Sequence, residues 1–291
     1  MNHLLIPIHA AVEAGNAILQ VYRSSDFKVE LKADKSPLTL ADRNAHEIIM
    51  PHLSKFAIPV LSEEGKNIPY DKRKTWDTFW LVDPLDGTKE FIKKNGEFTV
   101  NIAKISNNKP VAGVVFVPDK NILYFASSQI GSYRADLSQI GDWLNGKMGD
   151  PDRFANLSDS TAAEIVNELT GNSTKLPVKP STRRPYTIVG SRSHATPELE
   201  AVVEEKRRQY GEVEFISAGS SLKLCLVAEG RADIYPRTGP TMEWDTAAGQ
   251  AIVENAGGKV YQYDTTEPLV YNKENLLNPW FVVSRFQRLE V

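Results

Sequence analysis

Trp80-Leu81-Val82-Asp83-Pro84-Leu85-Asp86-Gly87-Thr88 is the stretch on which the reading of this chain turns. An apolar run from Phe79 to Val82 ends in two aspartates, with a proline between them and a glycine and a threonine after them. Short apolar runs bounded by turn residues are how buried strands read, so the stretch predicts a core strand whose carboxyl end carries Asp83 and Asp86 into a tight turn. Two carboxylates held that close repel each other unless a cation lies between them. Gly87 and Thr88 begin a polar turn whose free N–H groups can meet an anion, as helix N-termini do. Metal and phosphate is the chemistry this suggests; the competing reading is a surface turn with solvated aspartates, because Asp-Gly turns are common.

The same logic recurs upstream, where Ile58-Pro59-Val60-Leu61-Ser62 runs into Glu63, Glu64 and Gly65. Adjacent side chains on an extended chain point opposite ways, so one of the two glutamates is expected to be a ligand and the other a supporting or solvated group. Closer to the start, Leu4, Ile8, Val12, Gly15, Ile18, Leu19 and Tyr22 recur at helical spacing and predict an amphipathic first helix. Ile48, Ile49, Leu53 and Phe56 mark the buried side of a second helix, with Ser36 or Thr39 as its cap. Asp42 falls in the first turn of that helix, where the helix dipole alone favours a carboxylate. Its local sequence assigns it nothing more.

Downstream, Phe98 to Ile105, Val111 to Val117 and Ile122 to Ala126 read as strands joined by short turns, an antiparallel meander. From Arg134 to Arg184 the pattern gives way to polar sequence with a short helix at Ala162 to Leu169, read as a surface excursion or linker. A different rhythm begins at Tyr186. Strands Thr187–Gly190, Val213–Ser217 and Ala232–Tyr235 alternate with helices Pro197–Tyr210, Ser220–Glu229 and Glu243–Ala256. The predicted fold class is therefore α+β in an N-terminal domain, residues 1–185, followed by an α/β C-terminal domain, residues 186–291.

Composition narrows the function. A net charge of −3 gives no basic footprint for a nucleic-acid polymer. No stretch reads as a membrane span, and no leader pattern is evident at the start. Cys225 is the sole cysteine, which excludes an internal disulfide framework and fits a reducing, cytoplasmic setting. The candidate ligands Glu63, Asp83, Asp86 and Asp245, with the Leu85 carbonyl, are hard oxygen donors that suit Mg²⁺. The five histidines give no i, i+4 metal pair, and one cysteine cannot build a thiolate site. Hard divalent ions at such a site can polarise a phosphoryl oxygen and lower the pKa of water. A structural Ca²⁺ module is disfavoured because no continuous calcium loop is present.

Leu61-Ser62-Glu63-Glu64, the Trp80–Thr88 stretch and Trp244-Asp245-Thr246-Ala247-Ala248-Gly249 together resemble the inositol monophosphatase-like superfamily of Mg²⁺-dependent, lithium-sensitive phosphatases. Lys32-Ala33-Asp34-Lys35-Ser36-Pro37, Thr88-Lys89-Glu90-Phe91-Ile92, the Gly96–Ala103 run, Gly219-Ser220-Ser221-Leu222-Lys223 and Tyr235-Pro236-Arg237 look like its CysQ-type 3′(2′),5′-bisphosphate nucleotidases. The resemblance implies the layered inositol monophosphatase-like fold and two or three Mg²⁺ ions on Glu63, Asp83, the Leu85 carbonyl, Asp86 and Asp245. It implies that Asp42 and Thr88 activate the attacking water and that the Gly87 and Thr88 amides hold the scissile phosphate. Ser191, His194, Gly219, Ser220 and Lys223 match nucleotide-contacting positions, with Arg237 and Glu243 as weaker matches. His194 as a helix cap, Lys223 as a solvated lysine and Arg237 paired with Glu243 remain open on the residues alone.

The activity implied is release of the 3′-phosphate of adenosine 3′,5′-bisphosphate to give AMP, and conversion of 3′-phosphoadenylyl sulfate to the 5′-phosphosulfate, in the context of sulfur assimilation. The alternatives are an inositol-phosphate or sugar-phosphate phosphatase with the same metal site, and a module that senses an adenosine bisphosphate without turning it over. The expected partner is a small phosphorylated molecule, and the expected state a monomer or homodimer.

Overall fold

A computed structural model describes residues 1–23, 29–31, 37–65, 67–148, 157–178, 184–191 and 196–285. In chain order its elements are α1 (Asn2–Arg23), β1 (Val29–Leu31), β2 (Pro37–Thr39), α2 (Leu40–Leu53), β3 (Val60–Ser62), α3 (Tyr70–Arg73), β4 (Thr78–Asp86) and α4 (Thr88–Ile92). There follow β5 (Thr99–Ser106), β6 (Lys109–Val117), β7 (Ile122–Ser127), β8 (Gly131–Asp136), α5 (Leu137–Met148), α6 (Asp159–Gly171) and β9 (Thr174–Lys175). The remainder is β10 (Tyr186–Gly190), α7 (Pro197–Tyr210), β11 (Val213–Ser217), α8 (Leu222–Glu229), β12 (Ile234–Arg237), α9 (Glu243–Asn255), β13 (Lys259–Gln262) and β14 (Phe281–Ser284).

Strands β3 to β9 form a seven-stranded sheet in chain order, antiparallel except for the parallel β3–β4 pair. A five-stranded sheet runs β11-β10-β12-β14-β13, parallel among β10, β11 and β12 and antiparallel at β14 and β13. The last two strands, and the β1–β2 hairpin, were not read from the sequence.

Period-two alternation distributes the apolar runs between two cores. Trp80, Val82, Val100, Ile102, Val114, Phe116, Leu123 and Phe125 face α1 and α2. Their neighbours Phe79, Leu81, Ala103, Ile105, Val115, Val117, Tyr124 and Ala126 face α8 and α9. The second sheet repeats the division: Val189, Tyr235, Phe281 and Val283 join that inner core, while Ile188, Ile234 and Val282 turn to the outside with Val203 of α7. The layers are thus helices, sheet, helices, sheet, helix. Strands covered on both faces read as continuous apolar runs, which is why β4 and β6 are so evident in the sequence. Gly113 lets α9 rest on β6, because a Cβ there would lie 2.4 Å from the Ala248 carbonyl oxygen.

Two expectations need correction. The stretch from Arg134 is not a linker: β8 and β9 extend the first sheet, and α5 and α6 send Leu137, Leu144, Met148, Ile165, Val166 and Leu169 into the core shared with α1. Residues 149–156 and 179–183 of that stretch lie outside the described residues. Truncating such a buried leucine removes transfer free energy and leaves a cavity. Leu144→Ala is therefore expected to cost about 3 kcal/mol in urea unfolding, whereas a linker position would change it by less than about 0.5 kcal/mol. The second correction is α1, which at 22 residues is long and apolar enough by composition to cross a membrane; 72% of its most apolar window is buried in the fold, as a core helix requires.

Candidate active site

The site is built around an irregularity in β4. Asp83 pairs with Asn101 and Asp86 with Thr99, so three steps along β4 match two along β5. Regular alternation would send residues three apart to opposite faces; one extra residue brings both aspartates to one side. Pro84 lies at the bulge, where its missing N–H costs no ladder bond. The aspartates therefore sit within the strand, rather than in a turn beyond it. The turn follows: Gly87 has φ +93°, and a Cβ there would press on Phe98 and Ser220, so only glycine passes easily into α4, which Thr88 opens. The Phe91 amide closes the turn on the Gly87 carbonyl at 2.9 Å.

Neighbouring elements bring further carboxylates to this end of β4. The Glu63 amide donates to the Val82 carbonyl at 3.1 Å, placing Glu63 alongside Asp83. Glu63 and Glu64 occupy a turn after β3 rather than extended chain, so both carboxylates converge with Asp42, one oxygen from each lying within 4.8 Å of the others. The expectation that only one glutamate faces the site fails for that reason. Asp42 is fully buried in the first turn of α2. Asp245, in the first turn of α9, forms with Asp83 and Asp86 a second trio within the same limit. Its Oδ2 accepts the Met242 amide at 2.8 Å, which fixes the start of α9.

Buried charge of one sign has a measurable consequence. Burial, then the charges of Glu63, Asp86, Asp245 and Asp42, hold the Asp83 carboxyl well above the usual carboxylate range. Burial and Asp86 push Asp245 up to about 7. Both carboxyls bind their protons more tightly in the folded chain than in the unfolded one. Their contribution to stability is therefore present at low pH and is lost as pH rises through about 7. The metal-free protein should lose on the order of 5 °C in Tm between pH 5 and pH 8 through this cluster, and saturating Mg²⁺ should remove most of that slope. Mg²⁺ binding at pH 6.5 in weak buffer should release roughly one proton per chain; a titration with no proton release would contradict the reading. The donor set fits a hard divalent cation, since it is all carboxylate and carbonyl oxygen with like charges that a cation relieves.

Ser221, just before α8, and Asn101 of β5 hold this trio. The Ser221 amide donates to Asp86 Oδ2 at 2.6 Å, and Ser221 Oγ lies 2.7 Å from that oxygen and 2.6 Å from the Asp245 carbonyl oxygen. Asn101 Nδ2 donates to Ser221 Oγ at 2.9 Å. Neither residue was singled out from the sequence, although each stands inside a quoted motif. The Gly219 amide donates to buried Glu97 Oε2 at 2.9 Å, and a Cβ at Gly219 would collide with Glu90 and Glu97. Ser220 follows at φ +42°, a conformation that L-residues seldom adopt, with its Oγ buried.

A cleft of about 180 Å³ opens beside the trio. Asp86 and Asp245 supply two of its carboxylates and Glu90 a third, and Lys89, Lys223, Arg237, Ser191 and Ser220 are among the other residues that line it. Lys223 is buried rather than solvated; Nζ donates to the Ser220 carbonyl at 2.8 Å and the Ala218 carbonyl at 3.3 Å. Burial pulls its pKa down to about 8. Arg237 donates to the Pro240 carbonyl at 2.9 Å and does not pair with Glu243. Glu243 is fully buried and bound by Lys273 Nζ at 2.6 Å and by the Asn272 and Lys273 amides, which leaves it a structural role. Trp244 packs against the inner core, and Cys225 is buried in it. His194, Ser36 as a cap and most of the 32–37 motif lie outside the described residues, and no side chain is described for Thr39.

The acidic trio where β4 meets the first turn of α9 could hold a metal ion, and the cleft beside it presents both carboxylates and cations. The sequence profile of the inositol monophosphatase family matches residues 3–281. The chain is 44% identical to the 3′(2′),5′-bisphosphate nucleotidase CysQ of Shigella flexneri over 278 residues, covering 94% of this chain and 96% of that protein. It is 32% identical to the Haemophilus influenzae protein of the same name, over 97% of this chain and 93% of that one. The crystal structure of CysQ from Bacteroides thetaiotaomicron superposes with a TM-score of 0.80 at 48% identity, covering 97% of each chain. An IMPase of Thermotoga maritima, at 21% identity and a TM-score of 0.66 over 96% of this chain and 90% of that one, shares the fold. The chain belongs to the inositol monophosphatase family, whose enzymes are metal-dependent.

Proposed function

We propose that the chain is a Mg²⁺-dependent 3′(2′),5′-bisphosphate nucleotidase that converts adenosine 3′,5′-bisphosphate to AMP and phosphate, and also accepts 3′-phosphoadenylyl sulfate. The observation that carries this reading is the placement of Lys223 and Arg237 in the same cleft as the Asp86 and Asp245 carboxylates. The carboxylates suit a metal-bound phosphate to be cleaved, and the cations in the same cleft suit a second phosphate. Similarity to the CysQ nucleotidases supports the choice of nucleotide.

Glu63, Asp83, Asp86, Asp245 and the Leu85 carbonyl would hold the ions. Bound Mg²⁺ supplies positive charge that polarises the phosphoryl oxygens and acidifies water. The chain's own residues do the rest. Asp42 takes one proton of the attacking water through Thr88; the water oxygen bonds to phosphorus as the bond to the ribose 3′ oxygen breaks, and that oxygen leaves as an alkoxide that takes a proton from solvent water. Gly87 and Thr88 amides hold the phosphate oxygens, with Gly87 in the one backbone shape that opens that turn. Ser191, Ser220 and Lys223 position the nucleotide, and His194, next to Ser191 in sequence, is assigned the same task. A reducing cytoplasmic setting accords with the single, buried cysteine.

The test is a phosphate-release screen over adenosine 3′,5′-bisphosphate, 3′-phosphoadenylyl sulfate and inositol 1-phosphate with Mg²⁺ varied. The bisphosphate nucleotide is expected to exceed inositol 1-phosphate in kcat/KM by about 100-fold or more, the worth of one buried charge-assisted contact. Equal or reversed preference would move the assignment to an inositol-phosphate phosphatase.

A further inference from the structure

The first two helices carry a second group of metal-ligating side chains. His9 and Glu13 lie one turn apart on α1, and His52 comes from the last turn of α2, which packs against it. That turn is about 15 Å along α2 from Asp42. One ligand atom from each of the three lies within 4.8 Å of the others. Glu13 Oε2 is 2.5 Å from His52 Nε2 and 3.6 Å from His9 Nδ1. The two imidazoles meet edge to face at 5.0 Å. Their side chains keep 8% and 12% of their exposure against 42% for Glu13, so the group opens to solvent on the carboxylate side.

The chemistry of His9 points to a cation. Its ring hydrogen-bonds the Met148 backbone, and Nδ1 is the nitrogen that lies 3.6 Å from Glu13 Oε2. A neutral imidazole has one N–H, and in the tautomer that carries it on Nε2, Nδ1 turns a lone pair toward the Glu13 carboxylate. That contact is repulsive unless a proton or a metal ion lies between the two. A second proton is disfavoured: burial, then the nearby His52 and Lys55, outweigh Glu13 and keep the ring neutral to lower pH than usual.

We propose that His9, Glu13 and His52 bind one borderline-soft divalent transition ion, of the Zn²⁺ class, that clamps α1 to α2. Two imidazoles and one carboxylate with an open fourth position is a donor set zinc adopts, and a ligating histidine anchored through its other nitrogen to a carbonyl is its usual support. Imidazole donors select against Mg²⁺. Tetrahedral bonds of about 2.0–2.1 Å place donor atoms roughly 3.3 Å apart. The His9–Glu13 separation is close to that, and the His52–Glu13 contact opens by roughly 0.8 Å with a rotation of the half-exposed glutamate. Lys55 adds a like charge, but it is exposed and screened by solvent.

Metal-stripped protein, held in excess Mg²⁺ to fill the carboxylate cluster, would be titrated with Co²⁺ as a visible probe and then with Zn²⁺. One equivalent of Co²⁺ should bind with the intense d–d bands of four- or five-coordinate cobalt, and Zn²⁺ should bleach them. His52→Gln should weaken uptake by about 100-fold and Glu13→Gln by about 10-fold or more. Glu13 is half-exposed, so its variant keeps the test open if the histidine variant fails to fold; circular dichroism checks both. No uptake by the wild type, or the same uptake and spectrum in the wild type and a folded variant, overturns the site.

Discussion

Asp83→Asn is expected to lower kcat/KM for adenosine 3′,5′-bisphosphate by about 10³-fold or more while raising the Tm of the metal-free protein by about 3 °C. The two changes have one cause. Asp83 is buried among Glu63, Asp86, Asp245 and Asp42, whose charges disfavour its ionised form. Asparagine keeps the size and can still accept the Leu85 amide, now 3.1 Å from Asp83 Oδ1, so the bulge in β4 is retained. It removes a carboxyl whose ionisation the metal-free cluster disfavours and whose ionised form an ion would need. Stabilisation of about 1 kcal/mol at the expense of activity is common where a site stores like charge. Differential scanning fluorimetry of metal-stripped protein reads one change and phosphate release the other. Unchanged turnover contradicts the metal assignment; a lower Tm contradicts the electrostatic account of the cluster.

The second large effect is expected at Lys223. Two of its three ammonium hydrogens are engaged by the Ser220 and Ala218 carbonyls, which leaves one for an anion in the cleft. Lys223→Met should raise KM for adenosine 3′,5′-bisphosphate by about 30-fold, near 2 kcal/mol for a charge-assisted contact. A substrate with a single phosphate should change by less than about 3-fold, because its phosphate is held by the metal site. The wild-type KM should also rise as pH passes about 8, where burial makes Lys223 give up its proton. Equal losses on both substrates would instead assign Lys223 to the shape of the Gly219–Ser221 turn.

What could be read from the chain follows from how each feature is encoded. Strands β4 to β7 were legible because both faces are covered, so their apolar residues run without interruption between turn residues. The helices of the second half announced themselves through strand–helix alternation. The bulge at Pro84 was not legible, since a proline between two aspartates fits a turn equally well; only the pairing of Asp83 with Asn101 and Asp86 with Thr99 shows it. α5 was missed, and α6, legible as a helix at Ala162 to Leu169, was taken for surface, because Leu144, Ile165 and Leu169 are set among polar residues and their partner α1 is more than a hundred positions away. Asp42 looked like ordinary helix chemistry, and only the fold brings it to Glu63 and Glu64. The supporting residues Ser221 and Asn101 act across separate elements, a relation that spacing within one element cannot reveal. The His9–Glu13–His52 group was missed for the same reason: no two of its histidines share a helix.

Dialysis against a chelator followed by a single assay of adenosine 3′,5′-bisphosphate, with and without added Mg²⁺ and with product identification, tests the central claim most directly. The account predicts no turnover in the stripped protein, recovery on adding Mg²⁺, and one phosphate released per AMP formed. Turnover that persists in the chelator, or release of the 5′-phosphate to leave the 3′-phosphate in place, would contradict it.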